Sequence, residues 1–156
     1  MESTIIENEM LDELADEVGL RDRIAEITSR AMNGELDFEG ALTERVAMLE
    51  GLPEGVLEET FAKHISLTPG AQALVKTMND SGAVTALVSG GFTFFTSRVA
   101  ERAGFLHQQA NELLIENGRL TGKVKQPILG QAAKLEALES IAAKHNVQLA
   151  ETMAVG

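Results

Sequence analysis

The stretch that most constrains the fold of this chain is 83–92, which reads AVTALVSGGF. Residues 83–88 are apolar at nearly every position, and such a run is typical of a strand covered on both faces in a parallel sheet. Two glycines follow, and a helical pattern then begins at Phe92 and ends near Gly104. We therefore predict a strand, a Gly turn and a helix, which together indicate an α/β fold.

Four short helices are predicted before this strand. Apolar residues recur at helical spacing in each, and Gly or Pro separates them. Asp37 is the expected N-cap of the third helix, and Pro53 is expected in the first turn of the fourth. The connections are short, which favours a small bundle. The predicted helices cover residues 10–18, 24–31, 38–49 and 53–61.

The second half of the chain alternates between predicted helices and strands. A tight hairpin is predicted around Asn117 and Gly118, because Asn-Gly suits a two-residue turn. The apolar residues 153–155 are predicted to form another buried strand. The other predicted helices cover residues 70–80 and 131–144.

Composition excludes several classes of function. The net charge is −11, which disfavours a general surface for nucleic acid or anionic membranes. The chain has no cysteine, so disulfides, thiolate metal sites and a Cys nucleophile are excluded. No segment has the roughly 20 apolar residues of a membrane span. These features suit a cytoplasmic protein.

Two places in the α/β part could bind phosphate. Ser89 and Gly90 lie where a strand leads into a helix N-terminus, and such N–H groups and the helix dipole favour anions. A plain strand-to-helix turn explains the same residues. Lys134 lies in the first turn of a helix, where the dipole disfavours a cation. It either contacts a phosphate as a point charge or is simply exposed.

The bundle holds further candidates. Arg45 falls on the apolar stripe of the third helix, so its guanidinium either reaches the rim or meets a carboxylate or phosphate. Glu9 opens the first helix, where acids are also common for reasons of stability alone. The three histidines lack metal-ligand spacing and are interpreted as ordinary surface residues. Met32 is expected near the interface between the helical part and the rest of the molecule.

Together these segments resemble the phosphoserine phosphatases of the haloacid dehalogenase superfamily over essentially the whole chain. ESTIIENEMLDELA is similar to the segment after that family's nucleophile, and ITSRAMNGELDFEGALTERVAMLEGLP is similar to its helical cap. ALVSGGFTFF is similar to its second motif and GQAAKLEAL to its Lys motif. TMAVG is similar to the strand before its last acidic motif.

The resemblance implies a Rossmann-like parallel sheet, truncated at both ends, with a helical-bundle cap inserted after the first motif. It assigns residues 1–6 to the remnant of the first motif, 7–68 to the cap and 69–156 to the incomplete α/β core.

The resemblance also implies a reaction. In the family motif D-x-D-x-T, the first Asp attacks phosphorus and forms an aspartyl-phosphate, while the second acid protonates the leaving oxygen and later activates water. Glu2 stands at the second acid's position, one methylene longer than Asp. Its backbone carbonyl would be a ligand of Mg²⁺. Ser89, the Gly90 N–H and Lys134 would hold the phosphoryl oxygens.

For the rest of the substrate, the resemblance implies contacts from the cap. Glu9 would pair with the amino group of phosphoserine and Arg45 with its carboxylate, which the planar Arg fork suits. Met32 and Phe38 would form an apolar wall. The expected partner is therefore a small molecule, with neither nucleic acid nor membrane, and no oligomeric state is predicted.

The family motifs extend past both ends of this chain. The nucleophilic Asp would precede Met1, and the Asp ligands of Mg²⁺ would follow Gly156 in a G-D-G-x-N-D motif. We therefore expect an inactive fragment of an enzyme that completes serine biosynthesis. Two alternatives remain: a related phosphatase or phosphotransferase acting on another small phosphometabolite, and a non-catalytic truncated protein. Arg45 and Glu9 together favour the amino-acid substrate.

Overall fold

Seven α-helices and four strands make up the computed structural model, which describes residues 1–156. A short 3-10 helix, Leu149–Glu151, follows the last α-helix. The helices are α1 Met10–Glu17, α2 Arg21–Met32, α3 Phe38–Ala47, α4 Gly55–His64, α5 Ala71–Asp80, α6 Thr93–Ala103 and α7 Gln131–Lys144. The strands are β1 Ala86–Phe92, β2 His107–Asn111, β3 Leu113–Glu116 and β4 Arg119–Val124.

The chain divides into two compact units. Residues 1–7, 66–110 and 129–156 form the first, here called the sheet unit. Residues 8–65 and 111–128 form the second, here called the bundle unit. This division departs from the predicted one in the second half of the chain, because 111–128 group with the helices rather than with the rest of 69–156.

The bundle unit contains the four predicted helices. α1 contacts α2 and α4, and α2 contacts α3. The predicted cap of α3 is confirmed, since the Asp37 carboxylate accepts a hydrogen bond of 2.7 Å from the Gly40 N–H. Most of the residues that these helices bury are apolar, as in α1, which buries Met10, Leu11, Leu14 and Ala15, and α4 also buries Thr60.

The prediction for Pro53 was wrong. α4 begins at Gly55, and Pro53 lies before it. The Glu54 N–H donates to the Gly118 carbonyl at 2.9 Å, and Pro53 forms a backbone bridge with Arg119. The Pro53 carbonyl accepts from the Val56 N–H at 3.1 Å, so Pro53 precedes the helix while its backbone also pairs with the hairpin.

The predicted hairpin is confirmed as β3 and β4. The two strands pair antiparallel, and Asn117 and Gly118 connect them with φ values of 50° and 72°. Two consecutive residues of positive φ characterise the type I′ turn that matches the twist of a hairpin. β4 packs against α3 within the bundle unit.

The sheet unit is built on a βαβ element. β1 pairs with β2, and α6 connects them. α6 and α7 both contact β1, and α5 contacts α6. A helix between two neighbouring strands is the usual connection of a parallel pair.

β1 differs from its predicted position and environment. It covers 86–92 rather than 83–88, and its backbone stays extended through the two glycines that were expected to form a turn. Leu87, Ser89 and Phe92 are buried, whereas the residues between them are partly exposed. The strand is thus fully buried at only three of its seven positions rather than covered on both faces. Backbone hydrogen bonding between β1 and β2 begins at Thr85, whose carbonyl accepts from the His107 N–H at 3.1 Å.

The predicted strand at 153–155 does not form. Met153 and Val155 are 69% and 68% exposed. A strand requires a backbone partner, and neither two-stranded sheet includes these residues. No helix of the chain is long and apolar enough to cross a membrane.

Candidate active site

The middle of β1 carries the predicted phosphate-binding residues Ser89 and Gly90. Ser89 is 5% exposed, and its Oγ accepts a hydrogen bond of 3.0 Å from the Gly91 N–H. The strand leads directly into α6, with Phe92 as the extended N-cap residue. Ser89 thus lies four residues before the first residue of α6, with extended backbone between them.

The N-terminal segment brings Glu2 to the same place. The Met1 carbonyl accepts from the N–H groups of Ile5 and Ile6 at 2.8 and 3.2 Å, which folds the segment into a turn. The Ile5 carbonyl accepts from the Thr68 N–H at 2.9 Å, which ties the turn to the sheet unit. These bonds hold in position the segment that carries Glu2.

The Glu2 carboxylate lies over Gly91. A Cβ built on Gly91 would stand 3.5 and 3.6 Å from the two Glu2 oxygens and 3.2 Å from Ser89 Oγ. A side chain at position 91 would therefore crowd Ser89 Oγ and make an ordinary contact with the Glu2 carboxylate. The structure thus brings together the residue predicted as proton donor and the residue predicted to bind phosphate.

Lys134 lies where the sequence predicted it, in the first turn of α7. It is exposed, and its side chain takes part in no hydrogen bond or ion pair. α7 packs against β1, the strand that carries Ser89. The ammonium group is thus available to an anion, on a helix that belongs to the same unit as Ser89 and Glu2.

The remaining predicted residues lie in the bundle unit. Arg45 is half-buried on α3, and its Nε donates to the Ala41 carbonyl at 3.2 Å. No carboxylate of the chain pairs with it. Glu9 is the exposed N-cap residue of α1 and makes no side-chain cap bond. Met32 and Phe38 are 85% and 44% exposed, so both leave apolar surface available.

Sequence reasoning missed an ionic cluster between α1 and α4. His64 Nδ1 lies 3.0 Å from Glu13 and its Nε2 lies 2.8 Å from Glu17, which also receives a 2.7 Å bond from Lys63. The hydrogen bonds from His64 and then Lys63 lower the pKa of Glu17, and the bond to Glu17 raises the pKa of Lys63. Glu17 and His64 are 47 positions apart, so no local pattern indicates the contact.

The residues of this chain do not fit a complete Mg²⁺ site. Magnesium takes six oxygen ligands, usually including one or two carboxylates. Nowhere among residues 1–156 do three His, Asp or Glu side chains form a group that could hold a metal ion. The predicted contribution of Glu2 is one backbone carbonyl, which alone does not hold a magnesium ion.

Comparison with known proteins extends these observations. Residues 1–156 match the family described as haloacid dehalogenase-like hydrolases. The chain is 46% identical over 156 residues to a phosphoserine phosphatase of Archaeoglobus fulgidus, an alignment that covers all of this chain and 45% of that protein. It is 42% identical over 156 residues to a phosphoserine phosphatase of Streptococcus thermophilus, covering all of this chain and 72% of that protein.

A solved structure of a phosphoserine phosphatase is also similar to this chain. The phospho-aspartyl intermediate analogue of a phosphoserine phosphatase matches with a TM-score of 0.86 and 38% identity, covering 96% of this chain and 71% of that one. This likeness confirms the predicted α/β fold class. The chain spans less than half the length of the Archaeoglobus relative.

Proposed function

The chain belongs to the haloacid dehalogenase-like hydrolase family, and we propose that it supplies the phosphate- and substrate-binding residues of a phosphoserine phosphatase. The reaction is hydrolysis of O-phospho-L-serine to L-serine and phosphate. The observation that carries the proposal is the Glu2 carboxylate beside Ser89 and Gly91. The phosphoserine phosphatases that are 46% and 42% identical support the choice of substrate.

Ser89, Gly90 and Lys134 bind the phosphoryl group in this proposal. A hydroxyl has one donor and two acceptor lone pairs. Because Ser89 Oγ accepts from the Gly91 N–H, one lone pair is occupied and the hydroxyl proton can donate to a phosphoryl oxygen. The Gly90 N–H adds a second donor and Lys134 a positive charge. Such groups stabilise the charge that develops as phosphorus becomes five-coordinate.

Glu2 moves the proton. The resemblance places the attacking Asp immediately before Met1, and the phospho-aspartyl analogue of a relative supports that nucleophile. Its carboxylate oxygen bonds to phosphorus while the serine oxygen leaves and takes the proton of Glu2. Water then attacks phosphorus, its proton goes to Glu2, and phosphate and the free Asp carboxylate are released.

This chain would supply only one of the ligands of magnesium. The Glu2 carbonyl would be one ligand, and the carboxylate ligands would come from residues outside the 156 described here. When bound, such an ion neutralises phosphoryl charge.

Glu9 and Arg45 select the amino acid in this proposal. Arg45 pairs with the substrate carboxylate, and the absence of an internal carboxylate partner supports this role. Glu9 pairs with the substrate amino group. The exposed surfaces of Met32 and Phe38 exclude water from the bound phosphoserine. The resemblance further supports the last step of serine biosynthesis, in the cytoplasm, as the place of this reaction.

The proposal is tested by phosphate release from L-phosphoserine with Mg²⁺, in a longer protein. That protein carries an apolar strand ending in Asp before Met1 and continues Gly156 into the G-D-G-x-N-D motif. We expect Lys134→Ala to lower kcat/KM about 100-fold or more, since it removes a charge from the transition state. Lys144→Ala, an exposed Lys in the last turn of the same helix, is the matched control. Equal effects of the two changes would refute the role of Lys134.

A further inference from the structure

Two histidines far apart in the sequence meet in the sheet unit. His107 opens β2, and His145 is the residue that follows α7. Their Nε2 atoms share a hydrogen bond of 3.0 Å, which a metal ion held by both nitrogens would replace, and their ring centroids lie 5.0 Å apart. Neither the phosphate-binding residues nor the proposed substrate contacts include either ring.

The separation of the two nitrogens suits a shared metal ion. A late transition metal binds imidazole nitrogen at about 2.0–2.1 Å. With nitrogens 3.0 Å apart, such bonds enclose an angle of about 95° at the metal. That is close to the right angle between neighbouring ligands in square-planar and octahedral sites, which Cu²⁺ and Ni²⁺ favour with nitrogen and oxygen ligands.

We propose that His107 and His145 form a surface site that chelates one divalent late transition-metal ion, with water in the remaining positions. Imidazole is a preferred ligand of nickel, copper and zinc. His145 lies at the C-terminal end of a 14-residue helix, where the dipole favours a cation. The net charge of −11 also favours accumulation of cations around the protein.

The two ligands are presented by ordered backbone. The His107 N–H donates to the Thr85 carbonyl at 3.1 Å, and the His145 N–H donates to the Ile141 carbonyl at 3.1 Å. Anchoring of this kind reduces the entropy that a pair of ligands loses when it chelates. The ion would therefore join the start of β2 to the end of α7.

The site is separate from the phosphate-binding residues. The bond from His107 to Thr85 places it beside the start of β1, and Ser89 lies four residues after Thr85 along the chain. A metal ion bound here would stabilise the folded sheet unit by mass action, without contacting the substrate.

Calorimetric titration of the untagged chain with NiCl₂ tests the proposal. We expect one ion per chain, and His107→Gln or His145→Gln should each weaken binding about tenfold or more, because each leaves a single ligand. His64→Gln is the matched control, since both nitrogens of that ring already face carboxylates. Circular dichroism verifies that each variant is folded.

A second measurement needs no substitution. Ni²⁺ is paramagnetic and should broaden the ring proton signals of His107 and His145 before those of His64. Equal broadening of all three rings would overturn the proposal. So would absence of saturable binding, or unchanged affinity in His107→Gln and His145→Gln.

Discussion

The carboxylate of Glu2 lies so close to Gly91 that a Cβ on Gly91 would stand 3.5 Å from one of its oxygens. The same Cβ would stand 3.2 Å from Ser89 Oγ, which is tighter than an ordinary contact. A side chain at Gly91 is therefore opposed by the Ser89 hydroxyl rather than by the backbone angles, because the φ of Gly91 is not positive. The contact joins the first residues of the chain to the end of β1.

Gly91→Ala should disturb this site while leaving the fold largely intact. The added methyl group would push Ser89 Oγ by a few tenths of an ångström, and a hydrogen bond lost between that hydroxyl and a charged ligand costs about 1.5–3 kcal/mol. We expect kcat/KM for L-phosphoserine in the longer protein to fall by about tenfold to 100-fold, which a phosphate-release assay measures.

Gly55→Ala is the control for that substitution. Gly55 opens α4, and nothing lies within 4 Å of a Cβ there. Ala is also the better helix former. Activity should therefore be unchanged, and a comparable loss in both variants would contradict the account of Gly91.

Arg45→Lys should change selectivity among substrates. Lys keeps the charge but cannot form the bidentate pair with a carboxylate. We expect KM for L-phosphoserine to rise about tenfold, while KM for O-phosphoethanolamine, which lacks the carboxylate, stays the same. Arg30→Lys is the control, since Arg30 already pairs with Glu44 at 2.8 Å. An equal rise of KM for both substrates would argue against carboxylate recognition.

Acidification should weaken the contact between α1 and α4. The bonds from His64 and Lys63 lower the pKa of Glu17 below its ordinary value of 4.5. A group with a lowered pKa contributes stability above the unfolded-state value, and this contribution is lost as pH falls through the folded-state pKa. The loss attributable to Glu17 should therefore appear below about pH 4.5.

Thermal melting of Glu17→Gln between pH 6 and about pH 3 measures this effect. The variant should melt earlier than the unmodified chain at pH 6 and should lose less stability on acidification. Glu26→Gln removes an exposed carboxylate of α2 that makes no ion pair, and it should follow the unmodified chain. Identical acid sensitivity in all three proteins would contradict the assignment to Glu17.

Two glycines of the hairpin separate backbone strain from crowding. Gly118 and Gly122 both have φ of 72°, but a Cβ on Gly118 meets nothing, whereas one on Gly122 would lie 2.9 Å from Glu50 Cβ. Gly118→Ala should cost about 1–2 kcal/mol from the left-handed backbone alone. Gly122→Ala should cost about 1–3 kcal/mol more, because α3 and the segment after it must move. Urea denaturation measures the free energy of unfolding of both variants. Equal losses would contradict the expected effect of crowding at Gly122.

Features set by neighbours in the sequence were predictable. α7 was predicted at 131–144 and forms there, and the Asn117-Gly118 turn forms as expected. Both depend on local signals, namely helical periodicity and a dipeptide that tolerates positive φ. The cap at Asp37 was predictable for the same reason, because it bonds to Gly40, three residues later in the sequence.

Features set by a distant partner were not predictable from local pattern. The ladder of β1 begins where His107 bonds to Thr85, so the strand lies three residues later than its apolar run suggested. Residues 153–155 have strand composition but no strand beside them. The proximity of Glu2 to Gly91 was indicated only by resemblance to a family, since 89 positions separate the two residues in the sequence.

The most direct test of the account is L-phosphoserine hydrolysis by the longer protein and by its Glu2→Gln and Glu2→Asp variants. We expect Mg²⁺-dependent phosphate release, a loss of about 100-fold or more in Glu2→Gln, and substantial activity in Glu2→Asp, which keeps the proton-transferring carboxyl group. No hydrolysis of L-phosphoserine by the longer protein, or full activity in Glu2→Gln, would contradict the account.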